Sequence, residues 1–202
     1  MGFFHQPDDA CRFPQKGELS AAEYRELVDK MIRGGESTAC TAARILVTYH
    51  CVDGLLEVLR SQNKGAAHLA ENALWDVWHS EQGESASNRM ENGMRHLSAH
   101  RHCEAIQIFQ ELMHAYPKWI EPRFKAATVL FFRERLQDCV DLCKQIVERS
   151  PCHFGAWHTM AMCALQLGDC KLARSSIEHS LRLNPHSESN KELLEYFSMI
   201  EG

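Results

Sequence analysis

The chain has 202 residues, 45% of them hydrophobic, enough for one or two domains with a real core and typical of an ordinary globular protein. Its formal net charge is −5, from 22 basic and 27 acidic residues. The basic residues are scattered singly, so no nucleic-acid partner and no anionic membrane is expected, and the longest apolar run, residues 123–132 with Lys125 inside it, falls well short of the roughly 20 residues of a spanning helix.

Residues 1–16, MGFFHQPDDACRFPQK, read as an extended N-terminal segment. They lack the basic stretch followed by an apolar stretch of a secretory signal, and they are not arginine-rich and acid-poor like a transit peptide. Gly2 invites a myristoylation reading, but Gln6 stands where that signal wants serine or threonine. Nine cysteines, an odd number without a secretory signal, point to reduced thiols and an intracellular, cytoplasmic setting. A transit sequence already removed would leave the same chain, so an organelle stays open.

Residues 17–80 read as about four helices. Ser20 with Glu23 forms a capping box, Leu19 can pack on Tyr24 as a staple, and the helix should run to about Arg33 before Gly34-Gly35. A second, from about Ser37 to Cys51, carries Ala42, Ile45, Leu46 and Tyr49. Asp53 is the expected cap of a short third helix with Leu55, Leu56, Val58 and Leu59, broken at Asn63-Lys64-Gly65. The fourth, Ala66 to His79, carries Leu69, Ala73, Leu74, Val77 and Trp78. Short helices joined by short breaks weakly resemble the HEAT or armadillo style of solenoid, without a period to support it. The polar linker 81–86, inside SEQGESAS at 80–87, is the expected seam. Because ALWDVW just before it is strongly apolar, the fourth helix is expected to pack on the repeat that follows, in one continuous superhelix.

That repeat is visible as arithmetic. Pro117, Pro151 and Pro185 are 34 residues apart, and each closes a segment of helical apolar spacing. In the windows 86–119, 120–153 and 154–187, Gly93, Ala127 and Ala161 coincide, as do Ala105, Cys139 and Ala173, all small. Phe109, Cys143 and Ile177 coincide as apolar residues, followed by Met113, Val147 and Leu181. Each window therefore holds two antiparallel helices whose small residues permit close approach while bulkier ones fill the space to the next pair. The proline stops the second helix.

With Trp157, Ala161, Leu167-Gly168-Asp169, Ala173 and Leu183-Asn184-Pro185, the third window resembles a tetratricopeptide repeat, and the resemblance extends over 86–187. The first two windows depart from it, with Arg89 and Arg123 in place of Trp157, and His100 and Glu134 in place of Gly168. In 188–202, Ser189 with Glu192 makes a capping-box pattern, and Leu193, Leu194, Phe197 and Ile200 make one apolar stripe. The resemblance implies that this is a C-terminal cap helix covering the last repeat. The expected fold is thus all-α, an α-solenoid of antiparallel helix pairs with a cap helix.

Chemistry is sparse. His158, Cys163, Cys170 and His179 form no C-x-x-C or H-E-x-x-H pattern, and the densest cluster, AHRHC at 99–103, lies in the turn between repeat helices. Cys139 and Cys143 occupy packing positions of the repeat, so they read as small hydrophobes. Cys152 and His153 are neighbours in the chain, which does not make them a nucleophile and its base. No phosphate loop or nucleophile elbow is present. No enzyme activity, metal or cofactor is therefore expected.

What remains is recognition. The resemblance implies that the first helix of each pair lines a concave face, which places Met90, Met94 and Leu97, then Phe124, Lys125, Thr128 and Phe131, then His158, Met162 and Leu165 in a groove. Such a methionine- and phenylalanine-rich set suits an amphipathic helix or apolar peptide. The family's carboxylate clamp for acidic chaperone tails would need polar residues where Met90, Met94, Phe124 and His158 stand, with Lys125 the one basic candidate. The expected function is a protein-interaction adaptor, scaffold or assembly factor binding another protein through a peptide or helix. Self-association, occupation of the groove by residues 1–7, a structural subunit, and a thiol- or metal-responsive regulator using 99–103 and 152–158 stay open as alternatives.

Overall fold

The structure, a computed structural model, describes residues 19–200. Among them it is all-α, with eleven helices. The helices fall into two compact units that meet between Leu74 and Trp75, inside α4, and each is built differently.

The first unit contains α1 (Ala21–Arg33), α2 (Glu36–Thr48), α3 (Val52–Leu59) and the start of α4 (Lys64–Ser80). Ser20 and Glu23 close the expected capping box, so α1 begins with two of its orphan amides satisfied. Leu27, Val28 and Met31 form its buried stripe, and α1, α2 and α3 all touch one another. The third helix starts earlier than its sequence suggests. Cys51 stands at the cap without a side-chain bond, and Asp53 lies inside the first turn. At the start of α4, Asn63 accepts from the Ala66 amide at 3.1 Å and donates to the Ile32 carbonyl at 2.7 Å.

The second unit runs from Trp75 and stacks three helix pairs: α5 (Glu84–Ser98) with α6 (His102–Ala115), α7 (Glu121–Phe132) with α8 (Leu136–Arg149), and α9 (Phe154–Gln166) with α10 (Cys170–Leu183). The expected seam at 81–86 supplies only a three-residue turn, because α5 already begins at Glu84. The α5 and α6 backbones approach so closely that a Cβ on Gly93 would lie 2.5 Å from Phe109 Cε1. The equivalent contacts pair Ala127 with the smaller Cys143 and Ala161 with Ile177, all buried. A larger residue on the second helix is thus matched by a smaller one on the first.

The turns between paired helices are alike despite their sequences. Gly168 has φ +78°, and His100 and Glu134 adopt the same left-handed region at +56° each. Only the third turn has both the residue that this backbone favours and an N-cap, Asp169 accepting from the Leu172 amide.

A final helix, α11 (Glu188–Ile200), covers α9 and α10 through Phe197, which is buried with Ala161, Ala164, Ala173 and Ile177. Its cap is Ser187, two residues before the Ser189 expected, with Ser187 Oγ accepting from the Asn190 amide at 3.4 Å. No helix among the described residues is long and apolar enough to cross a membrane. Residues 1–16, expected to be extended, lie outside the described residues, as does any placement of 1–7 in the groove.

Candidate functional site

In the second unit α5 lies against α7 and α7 against α9, so the first helices of successive pairs form one continuous face. The ten sequence-predicted groove residues all lie on these helices, but they do not share one environment.

Met90 is 1% exposed and belongs to the core with Phe109, Leu112, Trp119 and Val129. Phe124 is also buried. Those two are therefore corrected from groove lining to core. His158 is drawn away in another manner, with its Nδ1 donating to Asn190 Oδ1 of α11 at 2.6 Å. The remaining apolar residues, Met94, Leu97, Phe131, Met162 and Leu165, are partly buried, as is Thr128, whose hydroxyl donates to the Phe124 carbonyl at 3.1 Å. Each therefore keeps part of its surface open on α5, α7 or α9.

Phe124 and Lys125 are covered by residues that the 34-residue period does not contain. Trp75, at the end of α4, stacks on Phe124 with ring centroids 5.6 Å apart. Trp78 stacks on His153 at 4.4 Å and meets Phe154 at 5.3 Å. The Trp119 indole N–H donates to the Trp78 carbonyl at 2.7 Å, and Lys125 Nζ sits 5.2 Å from the centre of the Trp75 ring. The end of α4, expected on the first repeat, thus packs largely on α7 and the start of α9.

Beneath these tryptophans lies a buried charge. The Glu121 carboxylate is wholly enclosed, its Oε1 reached by Lys125 Nζ at 2.9 Å and His79 Nε2 at 3.4 Å, its Oε2 by His153 Nε2 at 3.2 Å. His153 Nδ1 accepts the Ala156 amide, so its ring proton sits on Nε2 and points at Glu121. Burial alone would raise the Glu121 pKa, but Lys125 first, then His153 and His79, outweigh it and hold the carboxyl down at about 2. Removing all three partners would leave a buried charge without compensation, a cost of roughly 3–5 kcal/mol or more. Sequence reasoning passed over Glu121 because an acidic residue in a first helical turn looks like a dipole partner on the surface.

The His and Cys clusters do not gather. His100 and His102 have ring centroids 6.1 Å apart, and among the described residues no three His, Cys, Asp or Glu side chains converge to hold a metal ion. Cys139 and Cys143 of the second repeat and Cys163 of the third are wholly buried in one core cluster, and Cys139 Sγ donates to the Ala127 carbonyl at 3.1 Å. The hydrogen bond with Cys143, opposed in part by Cys163 and reinforced by burial, pushes the Cys139 thiol up to about 12. It stays protonated near neutral pH and is a poor nucleophile or metal ligand. Seven of the described cysteines are free thiols.

Away from the inner face, a groove of about 390 Å³ opens between α6, α7 and α8, with Ile106, Met113, Leu130 and Leu142 in its lining.

No family model matches the chain, and no curated protein matches it. Solved structures do. The first TPR of Spaghetti (RPAP3) bound to the HSP90 peptide SRMEEVD is 19% identical, covers 55% of this chain and 89% of its own, and has a TM-score of 0.54. The first TPR domain of the human RPAP3 protein gives 19% identity, 55% and 87% coverage and a TM-score of 0.53. MamA from residue 41 to its end, from Desulfovibrio magneticus RS-1, is 11% identical over 83% of this chain and 86% of its own, with a TM-score of 0.53. Likeness at these identities is likeness of fold.

Proposed function

From the tetratricopeptide-repeat fold of this chain, we propose that it is a non-enzymatic protein-interaction scaffold or assembly factor, taking up a peptide or helix of another protein on the face of α5, α7 and α9. The observation that carries this reading is that Leu97, Phe131 and Leu165, at matching positions of three successive helices, are apolar and only partly buried, with Met94 and Met162 beside them and Thr128 at the position between. Methionine and phenylalanine there adapt to an apolar ligand at little cost. One of the similar domains is described as holding an acidic HSP90 peptide. This chain is poorly suited to that ligand, since Lys125 is already paired with Glu121 and lies beside Trp75.

A photo-reactive phenylalanine analogue at position 131 tests the reading. It should cross-link a partner protein in native lysate, whereas the same analogue at Glu148, exposed on α8, should not. Leu97→Ala with Leu165→Ala should reduce the yield from position 131 while helical circular dichroism is kept. Equal yields from the two positions, or none from 131, would refute the assignment.

A further inference from the structure

The α7–α9 end of the inner face already has an occupant. Trp75 and Trp78, three residues apart on the last turns of α4, present both rings to one seat, and His79 follows with its Nε2 aimed at Glu121. The floor under Trp75 is bare backbone, and a Cβ on Gly155 would lie 2.6 Å from Trp75 Cη2. The seat therefore fits two large aromatics and a basic group at i, i+3 and i+4 of a helix.

The fit is incomplete, which distinguishes this occupant from ordinary core. Trp75 keeps part of its surface exposed, and the buried Trp78 indole N–H has no acceptor. A buried donor without a partner is costly, and displacing Trp78 into water returns its hydrogen bond. Glu121 supplies a fixed negative charge that favours a basic group on whatever fills the seat.

We propose that the end of α4 is an intramolecular ligand of the inner face, and that the partner helix of this seat carries two large aromatics three residues apart followed by a basic residue, entering by displacing Trp75 and Trp78. This rests on reading the inner face as a docking surface and adds its regulation. A tethered occupant acts at an effective concentration on the order of mM, so it suppresses a micromolar competitor without any further contact.

The test uses the full chain and a fluorescein-labelled synthetic peptide of residues 73–83, ALWDVWHSEQG. Fluorescence polarisation should show the peptide binding Trp75→Ala/Trp78→Ala at least about tenfold more tightly than wild type, because the seat is then empty. Adding Gly155→Ala, which fills the floor, should abolish that gain. If the double variant loses its helical circular dichroism, Trp75→Ala alone serves, since Trp75 is the more exposed of the pair. Equal binding to wild type and variant, no binding to a folded variant, or a gain that survives Gly155→Ala would overturn the proposal. Cross-linking from position 131 is scored separately, so failure of the resident ligand and failure of the docking face give different results.

Discussion

Gly93 and Phe109 give a quantitative probe of how the repeats lock together. Alanine at 93 gains about 0.5–1 kcal/mol of helix preference over glycine. Against that, its Cβ would stand 2.5 Å from Phe109 Cε1 and 3.1 Å from Cδ1, and Phe109 is wholly buried, so the ring cannot swing into solvent. Overpacking of this kind costs about 1–3 kcal/mol, leaving Gly93→Ala destabilised by up to about 2.5 kcal/mol. Phe109→Ile alone opens a cavity at a similar cost, well below the full loss of a phenylalanine side chain. Together they reproduce the Ala161 and Ile177 pair of the third repeat, so the double variant should be more stable than the sum of the single effects by about 1–3 kcal/mol. Urea unfolding followed by helical circular dichroism measures the cycle. Additivity within about 0.5 kcal/mol would show that the two residues do not share one packing site, and the register of the repeats would be misassigned.

Two further outcomes follow from the turns and the charges. Glu134→Gly, at φ +56°, should raise the melting temperature by relieving about 1 kcal/mol of left-handed strain, whereas Gly168→Ala, at φ +78°, should lower it; differential scanning calorimetry reads both. Burial, opposed by the Gln82 hydrogen bond and aided by the Glu121 charge, pushes the Glu81 carboxyl up to about 7. Its folded pKa lies above its unfolded value near 4.5, so its stabilising contribution is complete below about pH 4.5 and lost as pH rises through 7. Glu81→Gln should therefore raise stability at pH 8 and change it least near pH 5. Glu121 has the opposite sign, since its carboxyl is held near 2 and its contribution is lost only as pH falls toward that value.

The helices of the second unit were legible because their apolar and small residues recur at fixed spacing, and such recurrence reports backbone approach directly. Helix starts were less so. Asp53 has the right side chain for a cap, but the chain turns at Cys51, and packing of Val52 draws the helix start forward. The inner face was half legible. The 34-residue phase identifies which residues of α5, α7 and α9 are equivalent, and among those proposed for the face Met94, Leu97, Phe131, Met162 and Leu165 are partly buried. The phase is silent on what lies over that face. Trp75 and Trp78 stand outside the period, so the burial of Phe124 and the pairing of Lys125 with Glu121 are tertiary facts that no single window contains.

The left-handed turns carry a consequence for how such a fold is written into sequence. Three turns of one geometry are spelled with glycine, histidine and glutamate, and the position of Trp157 is filled by arginine in both earlier repeats. The message survives these losses because it is stored redundantly, in the mutual fit of several small and large side chains, and no single letter is indispensable. Recognition by characteristic letters decays as those letters drift, while the shape they once specified persists. A protein of this kind becomes hard to recognise by spelling long before it becomes hard to fold.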